Sequence, residues 1–430
     1  MKPIILHADL NNFYASVERV LYPELVGRPL AICGDREARH GIVLAKCEIA
    51  KANGVKTGDT IWQAERKCPN IIFRPPRFEA YVHYSKLVRN IYANYTDYIE
   101  PFGIDECWLD VTQSQIFGTG FEIAHTLKEQ VKSTLGLTLS IGVSYNKIFA
   151  KLASDLQKPD AITTIYPEEV VTKVYPLPVE NLLFVGRRTA EKLRKIGIYT
   201  IGNLAETDSY FLEKYLGKWG KILSSYARGE ENTPVRHLQN KREIKSIGNS
   251  VTYHKDLKKY EDIKRLFYAL AESVSARLKV ANVGKATTIK IYVKDKELQS
   301  YSWQKKIAPT NLCEVIAQES FMLFRERYAF KHSVRLLGIA VSGFTDGIEQ
   351  LSIDSLLENK QEKLEKIENT VQQIRAKYGF NGIQRGILLQ EEHIGNIQAE
   401  RLIAPAKIEG EIVDEDIKDI KTSDLKEDGE

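Results

Sequence analysis

The chain has 430 residues, a formal net charge of +4, 43% hydrophobic residues and 27% charged residues. Because a single hydrophobic core rarely grows beyond about 250–300 residues, this length predicts several domains. No run of about 18 apolar residues could span a membrane, and the N-terminus turns polar too early for a secretory signal. The five cysteines are scattered without a C-x-x-C pair, which argues against a zinc site or disulfides and predicts a cytoplasmic protein without membrane association.

The charge is unevenly distributed along the chain, and this distribution is more informative than the total. Residues 241–342 contain 20 Lys and Arg against 10 Asp and Glu, whereas residues 401–430 contain 5 against 10. A basic module of this size predicts a polyanionic partner. A solvated surface without a specific partner is the alternative, and composition alone leaves both interpretations open.

The first 168 residues alternate between strand-like and helix-like segments. PIILHADL and RPLAICG predict buried strands, and GIVLAKCEIAKANGV predicts a strand that passes into a helix ending at Gly54. Helical spacing follows at 79–98 and 119–135, and the strands DECWLDV and LTLSIGVSY are predicted before a helix in KIFAKLASDLQ. This alternation predicts an α+β sheet domain with an inserted subdomain at 13–78.

The remainder of the chain predicts two further modules and a tail. Residues 169–238 are expected to form a short helical domain, and KREIKSIGNS at 241–250 to form a linker. A second α+β unit is predicted at 243–348, in which two helices accompany the strands TTIKIYV and VRLLGIAVSGF. A Glu/Lys-rich helix at 358–378 leads into an acidic segment, which we expect to be loosely structured.

Three carboxylates at strand ends are the candidate catalytic groups. Asp9 ends the first apolar strand, and Asp105 and Glu106 begin the strand in GIDECWLDV. Adjacent carboxylates cannot both enter a core without a large desolvation cost, so they must face solvent, a cation or basic groups. Such oxygen ligands suit Mg²⁺, and two ions could activate an attacking hydroxyl and stabilise a departing pyrophosphate. Ordinary acidic strand ends at the surface are the alternative interpretation.

Three blocks of the sequence resemble the Y-family of DNA polymerases. HADLNNFYASVE resembles the opening of these enzymes, and GIDECWLDV resembles their second carboxylate motif. SIGVSYNKIFAKLASDLQKPDA matches their third block almost residue for residue. The matches run in the family's order over residues 1–350 and are most similar to the DinB, or DNA polymerase IV-like, branch.

This resemblance implies a metal site. Asp9, Asp105 and Glu106 match the ligands of two Mg²⁺ ions, and Leu10 would contribute its backbone carbonyl. Glu106 takes the place of the active-site acid.

The resemblance also implies a nucleotide site. Tyr14 matches the steric gate, an aromatic ring that leaves room for hydrogen but not for a 2′-hydroxyl, and core packing is its alternative role. Lys158 matches a lysine that contacts the incoming triphosphate, and Phe13 is expected to line the same site.

The sequence departs from the family's pattern at three positions. Asn11 replaces a second aspartate that many relatives carry, and we expect it to tune the site without abolishing it. Glu48 and Lys51 stand where relatives often have a tyrosine and an arginine that bind the triphosphate. Lys51 keeps the charge without bidentate geometry, and Glu48 is predicted to point away from the phosphates because it would repel them.

Two modules are expected to hold primer-template DNA. FVGRRTAEKLRKIGI resembles a helix-hairpin-helix element, in which Gly186 would let backbone N–H groups bind phosphate, although Phe184 replaces the second glycine of the pattern. A plain helical turn is the alternative. The basic unit falls where the family has its little finger, and Lys241, Arg242 and Lys245 would contact the DNA backbone.

A short peptide after the basic unit predicts a protein partner. EQLSID resembles the peptides that bacterial polymerases insert into the sliding clamp, with Gln350, Leu351 and Ile353 as the contact residues. Asp354 stands where a hydrophobic residue usually follows, so Leu356 or Leu357 would have to fill that pocket.

The resemblance implies a multidomain α+β polymerase with a right-hand architecture. The predicted parts are a palm at 1–12 and 79–168, fingers at 13–78, a thumb at 169–238, a little finger at 243–348 and a tail at 349–430. We expect a monomeric, error-prone translesion DNA polymerase that uses Mg²⁺ and deoxynucleoside triphosphates and has no proofreading domain.

Two other functions stay open at this point. Diguanylate cyclases use paired carboxylates on a related palm, but the chain has no G-G-[DE]-E-F signature. A non-catalytic DNA-binding regulator is the second alternative, and the presence of Asp9, Asp105, Glu106 and Tyr14 argues against it.

Overall fold

The protein is described by a computed structural model that covers residues 2–34, 41–240, 243–328, 330, 332–345, 360–379 and 382–388. These residues belong to two compact units, one including 2–32 and 43–240 and the other including 243–388. The predicted DNA contacts Lys241 and Arg242 and the predicted clamp contacts Gln350, Leu351 and Ile353 lie outside the described residues. None of the described helices is long and apolar enough to cross a membrane.

A five-stranded sheet forms the centre of the first unit. Its strands are β1 (Ile5–Leu10), β5 (Ile99–Pro101), β6 (Glu106–Asp110), β7 (Leu139–Ser144) and β8 (Ile162–Ile165). The strand order is β5-β6-β1-β7-β8, with β7 and β8 parallel and the other pairs antiparallel. All residues of β1 are buried, as a continuous apolar run predicts for a central strand.

The two faces of β1 pack against different helices. Leu6, Ala8 and Leu10 face a core shared with the helices α1 (Phe13–Leu21), α4 (Phe78–Ala93) and α5 (Gly120–Leu135). Because side chains alternate along a strand, His7 and Asp9 face the opposite side, where α6 (Lys147–Leu156) lies.

Gly142 in β7 allows α6 to approach the sheet closely. A Cβ atom at this position would lie 1.9 Å from the carbonyl oxygen of Ala150 and 2.5 Å from the backbone nitrogen of Ser154. No other residue type fits without moving the helix away from the sheet. The close packing brings Lys151 of α6 beside the carboxylates of β1 and β6, and Ser154 beside His7 of β1.

A smaller sheet lies in the segment that we predicted to be the fingers. Its strands β2 (Leu30–Cys33), β3 (Val43–Lys46) and β4 (Ile72–Arg74) have the order β3-β2-β4 and accompany α2 (Glu48–Ala52) and α3 (Ile61–Lys67). Helix α1 begins the same segment, but its residues Phe13, Val17 and Leu21 belong to the core of the five-stranded sheet.

Four short helices follow the sheet in the predicted thumb. They are α7 (Arg187–Arg194), α8 (Ile201–Glu206), α9 (Ser209–Leu216) and α10 (Lys218–Ala227). Their apolar residues, including Leu193, Leu204 and Leu223, share a core with Phe149 and Leu152 of α6.

The second unit is a four-stranded antiparallel sheet covered by helices. The order is β11-β10-β12-β9, formed by β9 (Ser246–Leu257), β10 (Lys285–Asp295), β11 (Ser300–Thr310) and β12 (Val334–Thr345). Helices α11 (Tyr260–Ala281) and α12 (Cys313–Arg327) contribute to its core, and α13 (Lys360–Tyr378) contacts α11 through ion pairs.

Three expectations for secondary structure were wrong. The predicted linker at 241–250 overlaps β9, which begins at Ser246, and β11 was not predicted. β9 mixes exposed polar residues with buried ones, whereas β11 alternates exposed with half-buried residues, and the lysines and serines obscure both patterns in the sequence. Helix α4 ends at Ala93, before residue 98, because the chain turns there into β5.

Candidate active site

The strand pairing of the first unit brings the predicted carboxylates together. Asp9 of β1 lies directly opposite Glu106 of β6, and the backbone N–H of Leu10 donates to the carbonyl of Asp105 at 3.0 Å. Side-chain ligand atoms of His7, Asp9 and Glu106 all lie within 4.8 Å of one another. The meeting of Asp9 with Glu106 that the sequence analysis inferred is therefore present in the structure.

Two lysines neutralise these carboxylates. The Lys151 ammonium group lies 3.1 Å from Asp9 Oδ2 and 2.9 Å from Glu106 Oε2. The Lys158 ammonium group lies 2.8 Å from the same Asp9 oxygen. Both lysines also contact Asp155, at 3.2 Å and 2.8 Å. Two positive charges are thus placed directly on the candidate metal ligands.

The electrostatics of the two adjacent acids differ strongly. Burial, together with the negative charges of Glu106 and Asp9, raises the pKa of Asp105 to about 6. Burial would also raise the pKa of Glu106, but His7 and Lys151 outweigh this effect and lower it to about 2. Burial lowers the pKa of Lys151, but the carboxylates of Asp9, Glu106 and Asp155 raise it above its usual value. At neutral pH, both the acids and the lysine are charged.

The donor set fits a hard divalent cation. Asp9, Asp105 and Glu106 offer carboxylate oxygens from neighbouring strand ends, and such ligands suit Mg²⁺ or Mn²⁺. Two lysine ammonium groups contact these carboxylate oxygens, because partly buried negative charges must be neutralised when the chain is folded. A divalent ion can supply that charge in their place.

Tyr14 is held rigidly beside this cluster. Its ring stacks on Tyr81 at a centroid distance of 4.2 Å and meets the edge of Phe78 at 6.0 Å. Burial raises the pKa of the Tyr14 hydroxyl, and the charge of Asp105 adds to the effect, so the ring lies near that acid. Phe13 is only 3% exposed and its ring belongs to the core, which leaves its backbone for contact with a nucleotide.

The departures from the family's pattern have local partners. Asn11 is buried; its amide donates to Ser140 Oγ at 3.0 Å and its side-chain oxygen accepts from the backbone N–H of Asp160 at 2.8 Å. The residue thereby anchors the turn that follows Lys158. Glu48 accepts a hydrogen bond from the Asn12 amide at 2.7 Å and lies 3.8 Å from the exposed Lys51 ammonium group.

The candidate DNA-contact residues lie in both units. Gly186 is exposed at the N-terminus of α7, and a Cβ there would meet nothing within 4 Å. Phe184 has a φ of 70°, a left-handed conformation that would suit the glycine it replaces. Lys245 is exposed immediately before β9 of the second unit.

Sequence reasoning missed His7 and gave Lys151 no role. His7 is buried, and its Nε2 atom lies 3.2 Å from Glu106 Oε2. The spacing of these residues along the chain could have indicated both. His7 lies two residues before Asp9 and so on the same face of the strand. Lys151 and Asp155 are four residues apart and so adjacent on one helix.

Comparisons with known proteins agree on one family. Residues 8–155 match the impB/mucB/samB family and residues 244–353 match the C-terminal domain of that family. A DNA polymerase IV from Acetivibrio thermocellus is 45% identical over 401 residues, which cover 92% of this chain and 100% of the relative. DNA polymerase IV 1 from Bacillus subtilis is 36% identical, with 90% of this chain and 94% of that protein covered.

Solved structures give the same result for the fold. A chimeric Y-family DNA polymerase matches with a TM-score of 0.72 and 26% identity, over 80% of this chain and 100% of that chain. A Dbh ternary complex matches with a TM-score of 0.57 and 26% identity, over 79% and 99% of the two chains. The α+β, multidomain polymerase fold that the sequence predicted is thereby confirmed.

Proposed function

Because the chain belongs to the Y-family of DNA polymerases, in the DNA polymerase IV branch, it is a translesion DNA polymerase, and we propose that Asp9, Asp105 and Glu106 hold two Mg²⁺ ions for its reaction. The pairing of Asp9 with Glu106 across β1 and β6, beside Asp105, is the observation that carries this assignment. Family membership leaves no ground for the cyclase alternative.

The proposed metal site assigns a task to each ligand. When bound, the two ions lower the pKa of the primer 3′-hydroxyl and stabilise the pyrophosphate that leaves. Asp9, Asp105 and Glu106 would hold the ions with their carboxylate oxygens, and Leu10 would add its backbone carbonyl. Glu106 is ionised at neutral pH because His7 and Lys151 lower its pKa to about 2.

The proposed nucleotide site surrounds this cluster. Tyr14 excludes a 2′-hydroxyl because its stacked neighbour Tyr81 prevents the ring from moving aside. Lys158 contacts the triphosphate, and its ammonium group lies 2.8 Å from Asp9 Oδ2, beside the proposed metal ligands. Lys51 adds a point charge from the fingers, and Phe13 contributes its backbone.

The assignment of four DNA-holding parts is also a proposal. The palm comprises 1–12 and 79–168, the fingers 13–78, the thumb 169–238 and the little finger 243–348. Backbone N–H groups at Gly186 and the side chain of Lys245 contact phosphates, which predicts sequence-independent, salt-sensitive binding. Lys241 and Arg242 would also contact the DNA backbone.

The proposed partner outside the reaction is the bacterial sliding clamp. Gln350, Leu351 and Ile353 would insert into it, as their pattern and their place after the basic unit suggest. Deleting residues 349–430 tests this, because stimulation by the clamp should disappear while unstimulated synthesis continues. We further propose that the enzyme acts as a monomer in the cytoplasm, with Mg²⁺ as the physiological ion.

The test of the catalytic assignment is primer extension with Mg²⁺ on undamaged and abasic-site templates. The wild-type chain should extend both primers, and Asp105→Ala combined with Glu106→Ala should extend neither while still binding primer-template. Extension by the double variant at the wild-type rate would contradict the metal-site assignment.

A further inference from the structure

The buried residue His7 connects the active-site acid to helix α6. Its side chain is 0% exposed, and its Nε2 atom lies 3.2 Å from Glu106 Oε2. Its Nδ1 atom lies 2.9 Å from Ser154 Oγ. The ring also meets the Trp108 ring edge-on at 5.4 Å, so it is enclosed on the side away from the carboxylate.

The partners of His7 determine which ring nitrogen carries the proton. A carboxylate can only accept a hydrogen bond, so the nitrogen that faces Glu106 must be the donor. The hydroxyl of Ser154 has a single hydrogen: it can donate that hydrogen to Nδ1 of the neutral ring, or donate it to the Lys151 carbonyl while accepting from the Nδ1–H of the charged ring. The opposite tautomer would direct the Nε2 lone pair at the Glu106 oxygen. The direction of the Nε2 contact is thus independent of whether the ring is neutral or charged.

The contact with His7 restrains the Glu106 carboxylate without adding a nitrogen atom to the oxygen ligands of the ion. His7 Nε2 and Glu106 Oε2 are within contact distance at 3.2 Å but do not have hydrogen-bond geometry, and Lys151 reaches the same Oε2 atom at 2.9 Å. Ser154 lies three residues after Lys151 on α6 and contacts its carbonyl oxygen at 2.8 Å. One end of the imidazole is therefore held by a helix and the other end holds the acid.

We propose that His7 is a positioning residue that fixes the orientation of the Glu106 carboxylate for divalent-ion binding. This inference rests on the proposed role of Glu106 as a metal ligand. A polar partner behind a ligand reduces its rotational freedom, and loss of such a partner typically weakens metal binding by about 10–100-fold. Hard ions such as Mg²⁺ prefer oxygen, so His7 acts through Glu106 and does not bind the ion itself.

The experiment compares His7→Leu, which keeps the bulk, with His7→Gln, which keeps an N–H donor at the end of the side chain. Mg²⁺ binding is measured by calorimetry on the full chain with dideoxy-terminated primer-template and the complementary nucleotide. His7→Leu should weaken binding by about 10–100-fold, while His7→Gln should stay within about threefold of wild type. In steady-state extension, His7→Leu should lower kcat and leave the KM for the nucleotide nearly unchanged.

A second pair of variants separates positioning from loss of core packing. Ser154→Ala removes the partner of Nδ1, and it should weaken Mg²⁺ binding. Ser144→Ala is the matched control, because Ser144 is also buried and donates to a backbone carbonyl, that of Ile165, but does not contact His7. It should leave Mg²⁺ binding unchanged even if it lowers the melting temperature.

Three results would overturn the inference. Equal weakening by His7→Gln and His7→Leu, together with equal losses of melting temperature, would make His7 a packing residue. A much larger loss of Mn²⁺ binding than of Mg²⁺ binding would make it a direct ligand. Unchanged Mg²⁺ binding in His7→Leu would remove it from the site. If Glu106→Gln also leaves Mg²⁺ binding intact, the assignment of Glu106 is what has failed.

Discussion

The two units of the molecule each contain a cluster of acidic side chains, and the cations that neutralise them differ. In the second unit, Glu272, Glu314 and Glu368 surround Arg385, whose guanidinium nitrogens lie 3.1, 3.1 and 3.3 Å from their oxygens. Arg375 adds a contact of 3.1 Å with Glu272. We call this group the helical cluster, because its acids lie on α11, α12 and α13.

The catalytic cluster of the first unit comprises Asp9, Asp105 and Glu106, and its ion pairs are made by the lysines Lys151 and Lys158. Lys151 and Lys158 each present a single ammonium group on a flexible stem. An ammonium ion is a point charge that can exchange with a metal ion or follow a phosphate, whereas a guanidinium group forms several directed bonds in a fixed plane.

The difference in cations distinguishes an acidic cluster that stabilises the fold from one that we propose to act in catalysis. The arginines of the helical cluster join α13 to α11 and α12, so their contacts must persist for this part of the second unit to stay folded. The lysines of the catalytic cluster hold acids that lie within the first unit's sheet, and under the proposed function divalent ions take over their neutralisation.

The largest expected effect comes from neutralising one acid in each cluster. Glu106→Gln should lower the rate of primer extension by about 10³-fold or more, because it removes a charged ligand that the transition state requires. Glu272→Gln in the helical cluster should leave the rate at saturating DNA within about twofold of wild type. Single-turnover extension measures both variants, and a large loss of rate in Glu272→Gln would break the comparison.

The next effect concerns stability in the helical cluster. Arg385→Met leaves Glu272 and Glu368 buried with less compensation, so the free energy of unfolding should fall by about 3 kcal/mol. Chemical denaturation measures this change, and Arg187→Met is a suitable control because Arg187 is 88% exposed and makes a weak surface ion pair. A change of similar size in both variants would show that the cluster adds nothing specific.

A smaller effect is expected from Lys151→Met in the catalytic cluster. Without the ammonium group, Asp9 and Glu106 repel each other, and the metal-free protein should lose about 2 kcal/mol of stability. Saturating Mg²⁺ should restore most of this loss, whereas it should restore none of the loss in Arg385→Met. Thermal denaturation with and without Mg²⁺ tests the contrast directly.

The smallest expected effect is a pH dependence confined to the catalytic cluster. Burial raises the pKa of Asp105 to about 6 in the folded, metal-free protein, so folding takes up a proton as the pH falls towards 6. This group therefore favours the fold below its unfolded pKa and loses that contribution as the pH rises through about 6. Mg²⁺ must displace the proton, so its affinity at pH 5 should be about tenfold lower than at pH 7.

Calorimetry at the two pH values provides the measurement. Asp105→Asn is the control, because it should weaken Mg²⁺ binding and also remove most of the pH dependence. An unchanged pH dependence in this variant would assign the titration to a different group.

The sequence allowed the catalytic cluster to be predicted more fully than the helical cluster. Asp9, Asp105 and Glu106 follow directly from carboxylates at strand ends and from ordered motifs. The role of Lys151 depends on how closely α6 packs against the sheet. Gly142 permits this close approach, but the sequence does not show that α6 lies on β7 at that glycine. His7 required the strand register, since Glu106 lies opposite Asp9 and within reach of the residue two positions earlier.

The helical cluster and the strands β9 and β11 could not be predicted from the sequence. Its three acids are distant in sequence, and each alone is an ordinary helix residue, so only tertiary packing identifies them as partners of Arg385. Strands β9 and β11 expose alternate polar residues, which made the first resemble a linker. Pattern reasoning was accurate for segments buried on both faces, such as β1 and β7.

The most direct test of the account counts the ions that the catalytic cluster holds. Electron paramagnetic resonance measures bound Mn²⁺ in the full chain with dideoxy-terminated primer-template and the complementary nucleotide. We predict two ions per chain in the wild type and at most one, carried by the triphosphate, when Asp105→Ala and Glu106→Ala are combined. Two ions in the double variant would contradict the claim that these carboxylates hold the metals.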